Sequence, residues 1–265
     1  MRTLQLASRL PEAEEAAFAG RLLDDSAYDV LISGEDADVL KPDGSPLLKY
    51  RAGAVPESVA LAAWAAMREA ATMTDNRGFA TGALDENEGK AVKYRPVKAD
   101  GTQSKTTYAG RAVASGLVGS FDRYVRIPYC RLTAFTLAHP ERFSAAMPFF
   151  RLASECFARE LPDRYAAQMA YVQRTHPEWV IHGTAFTTVT VNRNWQTAVH
   201  QDAGDLRDGF GVMSVVSKGS YRGGVLVFPA YRVALDMRTG GVCLADVHEW
   251  HGNTKIVGLP GRYER

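Results

Sequence analysis

The feature that most constrains this chain is the texture of its C-terminal third. Phe186–Val191, Val212–Val216, Val225–Phe228, Val233–Leu235 and Val242–Val247 are short runs rich in β-branched residues, and glycines at 219, 223–224 and 240–241 separate them. Such runs are too short for helices, and no helical period lies between them. Five or six strands at this spacing bury their apolar faces only against one another, which predicts an antiparallel sandwich or barrel. The earlier sequence has a different period. Pro56 to Met73 (PESVALAAWAAMREAATM) predicts an Ala-rich amphipathic helix with Pro56 at its first position. His139-Pro140-Glu141 opens a second helix, and Pro162-Asp163 a third that ends near Thr175. Helices first and strands last make an α+β chain.

At 265 residues the chain is near the ceiling for one hydrophobic core. Residues 1–40 carry nine acids against three arginines and run into SGEDADVLKPDGSP. This predicts an acidic N-terminal extension over 1–44 before a domain over 45–265, helical to about 178 and β from about 179. Across the whole chain 31 basic residues balance 30 acidic ones, for a formal charge of +1. That balance argues against a purely charge-driven nucleic-acid binder but leaves room for a local basic groove. Lys90, Lys93, Arg95, Lys98, Lys105 and Arg111 make residues 85–111 the candidate for phosphate contact, with a solvated loop as the alternative. Cys130, Cys156 and Cys243 form no CxxC pair, which fits thiols packed in a reducing compartment. With no apolar run of membrane-spanning length and no apolar N-terminal segment, a cytoplasmic protein without membrane association is expected.

The histidines supply the chemistry. Of the six, His139 and His176 precede prolines at helix edges and read as capping or surface residues. His200-Gln-Asp202 follows a strand-like stretch, and alternation puts His200 and Asp202 on one side of an extended chain. Four strands later comes Asp246-Val-His-Glu-Trp-His251. Two histidines and one carboxylate occupy one face of an octahedral ion and leave three positions open, the pattern of non-heme Fe(II) oxygenases. A closed structural zinc site would need a fourth protein ligand, and no thiolate pair is present. HxD alone is a weak signal; HxD at a strand end followed by a histidine in a glycine-punctuated β-meander is stronger. His248 and His251 are three apart and face opposite sides of a strand, so only one can join. An oxo-acid co-substrate also needs a forked cation for its far carboxylate. Arg262 and Arg265 follow His251 at suitable distances.

The stretch from Phe186 to Asn253 resembles the TET/JBP family of Fe(II)/2-oxoglutarate dioxygenases, with phage-encoded members nearest in style. The blocks HQDAGDL and HEWHGNT carry the resemblance most specifically. Thr74-Asp-Asn-Arg77-Gly-Phe-Ala, Cys130-Arg131-Leu-Thr and Leu161-Pro-Asp-Arg-Tyr-Ala-Ala-Gln168 support it. The resemblance implies a double-stranded β-helix core (a jelly-roll of the cupin type) with the N-terminal helices packed on it. It implies Fe(II) held by His200, Asp202 and His251, and 2-oxoglutarate held at its side carboxylate by Arg265. Arg77 matches an arginine that reaches 2-oxoglutarate or the substrate strand; otherwise it donates to carbonyls at a helix end. Asp205 falls where the family contacts the flipped base. As an acceptor for the cytosine amine it would mildly favour 5-methylcytosine over thymine, unless it merely caps a turn. Arg131 reads as a DNA or active-site residue, or as a buried ion-pair partner.

The implied substrate is a 5-methylpyrimidine in DNA, flipped out of the stack, with O2 as co-substrate. For a phage-encoded enzyme the compartment would be the cytoplasm of a bacterial host. Family members continue beyond this arginine into a final core strand, and the expectation from the resemblance is that this strand is missing here. Two other readings stand beside this one: a 2-oxoglutarate-dependent hydroxylase of a free small molecule or peptide, and an inactive DNA-binding relative.

Overall fold

The computed structural model describes residues 1–82, 93–94, 108–109, 111–121, 127–202 and 204–265. Of the basic stretch, Lys90, Arg95, Lys98 and Lys105 lie outside the described residues, as does the side chain of Lys93. In chain order the first strands are β1 (Arg2–Gln5), β2 (Val30–Ser33), β3 (Ala37–Leu40), β4 (Pro46–Arg51) and β5 (Thr72–Thr74). Then come β6 (Lys93–Tyr94), β7 (Tyr108–Ala109), β8 (Val113–Phe121), β9 (Arg131–Leu132) and β10 (Thr188–Asn192). The C-terminal part adds β11 (Gly211–Ser214), β12 (Lys218–Gly219), β13 (Arg222–Gly223), β14 (Leu226–Phe228) and β15 (Val233–Asp236). It closes with β16 (Val242–Ala245), β17 (Gly252–Asn253), β18 (Ile256–Val257) and β19 (Tyr263–Glu264). The helices are α1 (Glu12–Ala16), α2 (Glu57–Met67), α3 (Ala134–Ala138), α4 (Pro140–Glu160) and α5 (Pro162–Val172).

Two sheets face each other, one ordered β1-β3-β4-β16-β11 and the other β17-β14-β15-β2. Ile32, Val39, Leu48, Tyr50, Phe228, Leu235 and Cys243 fill the space between them, each fully buried. β16 explains the layering. All four of its residues are buried. Cys243 and Ala245 point into the inter-sheet core, whereas Val242 and Leu244 join a second core with the helices. A strand buried on both faces needs cover on both, and α2 and α4 supply the outer one. Ala60, Ala63, Phe150, Ala153 and Phe157 build that layer, the alanines letting the helices close on each other. This is the expected α+β architecture with a jelly-roll core.

The N-terminal segment differs from the acidic extension read over residues 1–44. It supplies β1 and β3 to the first sheet and β2 to the second. β1 runs parallel to β3, and β2 parallel to β15, so neither pairing has a hairpin to announce it. Glu12, Glu14 and Glu15 lie on α1 and Asp38 within β3, while Ile32, Ala37 and Val39 face inward. Likewise the segment over 45–178 is not purely helical, because β4, β5 and β8 lie within it.

The helix expected from Pro56 to Met73 stops at Met67. Thr72 and Thr74 pair with Ser115 and Val113 of β8 instead, where β-branched side chains fit better. β8 is the centre of a third sheet, β10-β8-β5. Gly116 lets it pass the end of α2: a Cβ there would lie 1.9 Å from the carbonyl oxygen of Ala70. No helix among the described residues is long and apolar enough to cross a membrane.

Candidate metal centre and its surroundings

His200, Asp202 and His251 come from two chain segments that meet across a two-residue bridge. His200 N–H donates to the carbonyl of His251 at 2.9 Å, and His251 N–H donates back at 3.0 Å. The imidazole centroids are 4.5 Å apart. One ligand-type atom from each of the three residues lies within 4.8 Å of the others, the one such cluster among the described residues. His200 Nε2 is 3.3 Å from Asp202 Oδ1, and His251 Nε2 is 3.7 Å from Asp202 Oδ2.

The backbone sets the tautomers. His200 Nδ1 lies 2.8 Å from the carbonyl of Ala198, and His251 Nδ1 lies 2.9 Å from the carbonyl of Glu249. A carbonyl can only accept, so each Nδ1 carries the hydrogen and each Nε2 lone pair is left for the centre. The same two-residue loop-back occurs on both segments. Asp202 is fixed through its own N–H, which donates to the carbonyl of Val247 at 2.9 Å.

Burial and mutual charge set the electrostatics of the three groups. Burial and the neighbouring His200 push His251 down to about 4, against the pull of Asp202. His200 is buried too, but its hydrogen bond to Asp202 and that carboxylate's charge outweigh the burial and hold it above the usual imidazole value. Burial would raise Asp202, yet the His200 hydrogen bond and the two imidazoles keep it below the usual carboxylate range. A divalent ion here would be held by two neutral imidazole nitrogens and one carboxylate anion, so its binding would be favoured by deprotonation of the site.

Of the two distal histidines, His251 enters the cluster. His248 turns away, its Nδ1 3.5 Å from Asp246 Oδ1 and its Nε2 3.3 Å from the carbonyl oxygen of Asp205. Arg77 also faces the centre. Burial lowers its guanidinium, and the charge of Asp202 offsets part of that. Its Nε donates to Ser115 Oγ at 2.6 Å, and that hydroxyl donates to Asn192 Oδ1 at 2.6 Å. Asp205 belongs to the turn behind Asp202, its N–H donating to the Asp202 carbonyl at 3.0 Å.

A match to the Tet_JBP family, the oxygenase domain of the 2OGFeDO superfamily, covers residues 121–264. The chain belongs to this family. Thymine dioxygenase JBP1 of Trypanosoma brucei brucei is 38% identical over 153 residues, covering 56% of this chain and 18% of the relative. The bifunctional helicase and thymine dioxygenase JBP2 of Leishmania tarentolae is 29% identical over 219 residues, covering 82% of this chain and 17% of the relative. The chain thus spans less than a fifth of the length of either relative. A solved structure described as NgTET1 in complex with 5mC DNA aligns with 88% of this chain and 78% of its own, at a TM-score of 0.46 and 11% identity. Membership in the superfamily implies Fe(II) and 2-oxoglutarate.

Arg265, one residue past the matched region, is half-buried and tied down at three points. Its N–H donates to Asn194 Oδ1 at 2.7 Å, its carbonyl accepts from Asn194 N–H at 3.0 Å, and its Nη2 donates to the Gly224 carbonyl. Burial lowers this guanidinium, opposed by the Tyr221 hydroxyl that bonds it and by the charge of Asp236. A Cβ on Gly224 would lie 3.1 Å from Arg265 Nε, so the glycine makes room for the arginine. Arg262 lies exposed in the preceding turn. Arg131 is elsewhere. It stacks 4.5 Å above the Phe121 ring at the far end of β8, six residues and so about 20 Å along the strand from the Ser115 that holds Arg77.

Sequence reasoning missed Ser115 and Asn192, which aim Arg77. It also missed Lys41 and Arg9, which reach the turn carrying His251, and Glu15, which holds Arg9. No local spacing links residues so far apart, and only strand pairing brings them together.

Proposed function

We propose that this chain is an Fe(II)- and 2-oxoglutarate-dependent dioxygenase that oxidises the 5-methyl group of a pyrimidine in DNA. The observation that carries this reading is the His200–Asp202–His251 cluster, with both Nδ1 hydrogens engaged by carbonyls and both Nε2 atoms directed at the one carboxylate. Two neutral nitrogens and one oxygen suit iron and leave half of an octahedral ion for co-substrate and O2. Bound there, the iron supplies, with O2 and the oxidative decarboxylation of 2-oxoglutarate, an oxidant able to take hydrogen from a methyl group.

The residues around the cluster have separate roles in this proposal. Arg77, aimed by Ser115 and within electrostatic reach of Asp202, holds negative charge beside the centre. Arg265 clamps the far carboxylate of 2-oxoglutarate; its burial already makes the bare guanidinium costly, so an anion would be welcome. The base must leave the stack to reach the cluster. As for which base, the relatives named thymine dioxygenase support thymine. The case for 5-methylcytosine rests on Asp205, an exposed carboxylate on the turn behind Asp202 that could accept from the exocyclic amine.

The test is anaerobic loading with Fe(II), then exposure to air, 2-oxoglutarate and duplex DNA, followed by nucleoside mass spectrometry. One duplex carries 5-methylcytosine and a second only thymine. A hydroxymethylated nucleoside that requires 2-oxoglutarate supports the reaction, and the arm in which it appears names the base. Succinate formed with neither duplex oxidised would replace DNA by a small-molecule substrate. No succinate and no product would overturn the enzymatic reading.

A further inference from the structure

The turn Asp246–His251 does more than deliver one ligand. The Val247 carbonyl holds the backbone of Asp202, and the Glu249 carbonyl fixes the tautomer of His251. Two of the three cluster residues therefore depend on the shape of this turn. Its two acidic side chains converge beneath it on one cation: Lys41 Nζ is 2.7 Å from Asp246 Oδ2 and 2.7 Å from Glu249 Oε1. Asp246 Oδ1 meanwhile accepts from His248 N–H at 3.2 Å. Arg9 Nη2 lies 3.1 Å from Glu249 Oε2 and also donates to Oε2 of the fully buried Glu15 at 2.8 Å, while Arg9 Nε donates to Glu15 Oε1.

Lys41 is well sheltered, with 15% of its side chain exposed, and Glu249 more so at 9%. Charges so placed interact far more strongly than surface pairs, and removing one partner leaves the others uncompensated. Without the ammonium, two carboxylates three residues apart would face each other at short range. The turn would have to open, taking both ligand-orienting carbonyls with it.

We infer that Lys41, at the end of β3, is a positioning residue for the metal centre, acting through Asp246 and Glu249 on Asp202 and His251. Arg9 and Glu15 brace the same clamp from the N-terminal segment. The inference rests on the metal-binding reading above. It adds that residues 1–44 are needed for metal affinity as well as for the sheets.

The experiment is a Co(II) titration of the full metal-free chain, followed by its d–d absorption, with circular dichroism reporting the fold. Lys41→Met should bind Co(II) about 10- to 100-fold more weakly than wild type and with a changed spectrum, the range for losing a partner that orients a metal ligand. Lys41→Arg, which keeps the charge and the donors, should recover most of the affinity. A purely structural lysine would lower the unfolding temperature and leave Co(II) affinity and spectrum as they are in the folded protein, and that result would overturn the inference. If Lys41→Met does not fold, Asp246→Asn decides. It keeps an acceptor for His248 N–H but loosens the clamp, so weaker Co(II) binding supports the proposal and unchanged binding overturns it. Wild type that binds no Co(II), or binds it equally after His251→Ala, would overturn the metal reading itself and this inference with it.

Discussion

Two regions of the molecule, the helix-covered layer and the bridge between His200 and His251, divide its work. Toward the helices, Val242, Leu244, Phe150 and Phe157 make a buried apolar layer. At the rim, where the bridge joins His200 to His251, three polar side chains are held by backbone carbonyls and by one another. The helix layer stabilises by removing area from water, which is non-directional and tolerant of detail. The metal cluster depends on direction, and its charged and polar groups contribute little net stability once desolvated. Strength and chemistry are thus assigned to separate residues.

The sharpest test of that division is at the cluster. His200→Ala, Asp202→Ala and His251→Ala should each abolish turnover while the unfolding midpoint stays near that of wild type, because the core packs without them. His248→Ala, outside the cluster, should cost much less. If His248→Ala were the more damaging, the wrong distal histidine would have been assigned to the metal.

The complementary change is Phe157→Ala, at a side chain with no exposed surface. It should lower stability by about 3–5 kcal/mol, seen as a shifted denaturant midpoint. Co(II) binding by the fraction still folded should be unchanged. A loss of metal affinity larger than the loss of folded protein would show that the two regions are coupled.

The smallest effect concerns acid. Glu160 at the end of α4 pairs with Arg51, which also binds Asp38 Oδ1 at 2.8 Å and so ties the helix layer to β3 and β4. Burial would raise the Glu160 carboxyl, but hydrogen bonds from Arg51 and Arg159 outweigh it and hold it below its ordinary 4.5. A carboxylate with a lowered folded-state pKa contributes stability that is complete above its unfolded value and is lost as pH falls through the folded one. Unfolding midpoints should therefore drop below about pH 4.5, and Glu160→Gln should flatten that drop. An unchanged pH profile in the variant would remove Glu160 from the account.

Much of the cluster was legible in the sequence because it is written locally. His200 and Asp202 are two apart on an extended segment, and the glycine-punctuated strands after them show the period-2 pattern of a meander. The N-terminal strands were not legible. β1 and β2 make parallel pairings to distant partners, and the nine acids around them mask the inward alternation of Ile32, Ala37 and Val39. The end of α2 was misplaced for a related reason: the alanine-rich run through Ala71 reads as helix, whereas Thr72 to Thr74 pair with β8.

The sequence by itself determined the β-rich core, the helices opened by proline, and the residue types able to hold an iron ion. Those follow from local periodicity and donor chemistry. The resemblance already favoured His251 over His248; only the tertiary structure decided that Ser115 aims Arg77 and that Lys41 sits under the turn that carries His251. Each of these depends on two segments far apart in the chain meeting in one register, and a register shift of one residue would turn the side chains to the other face.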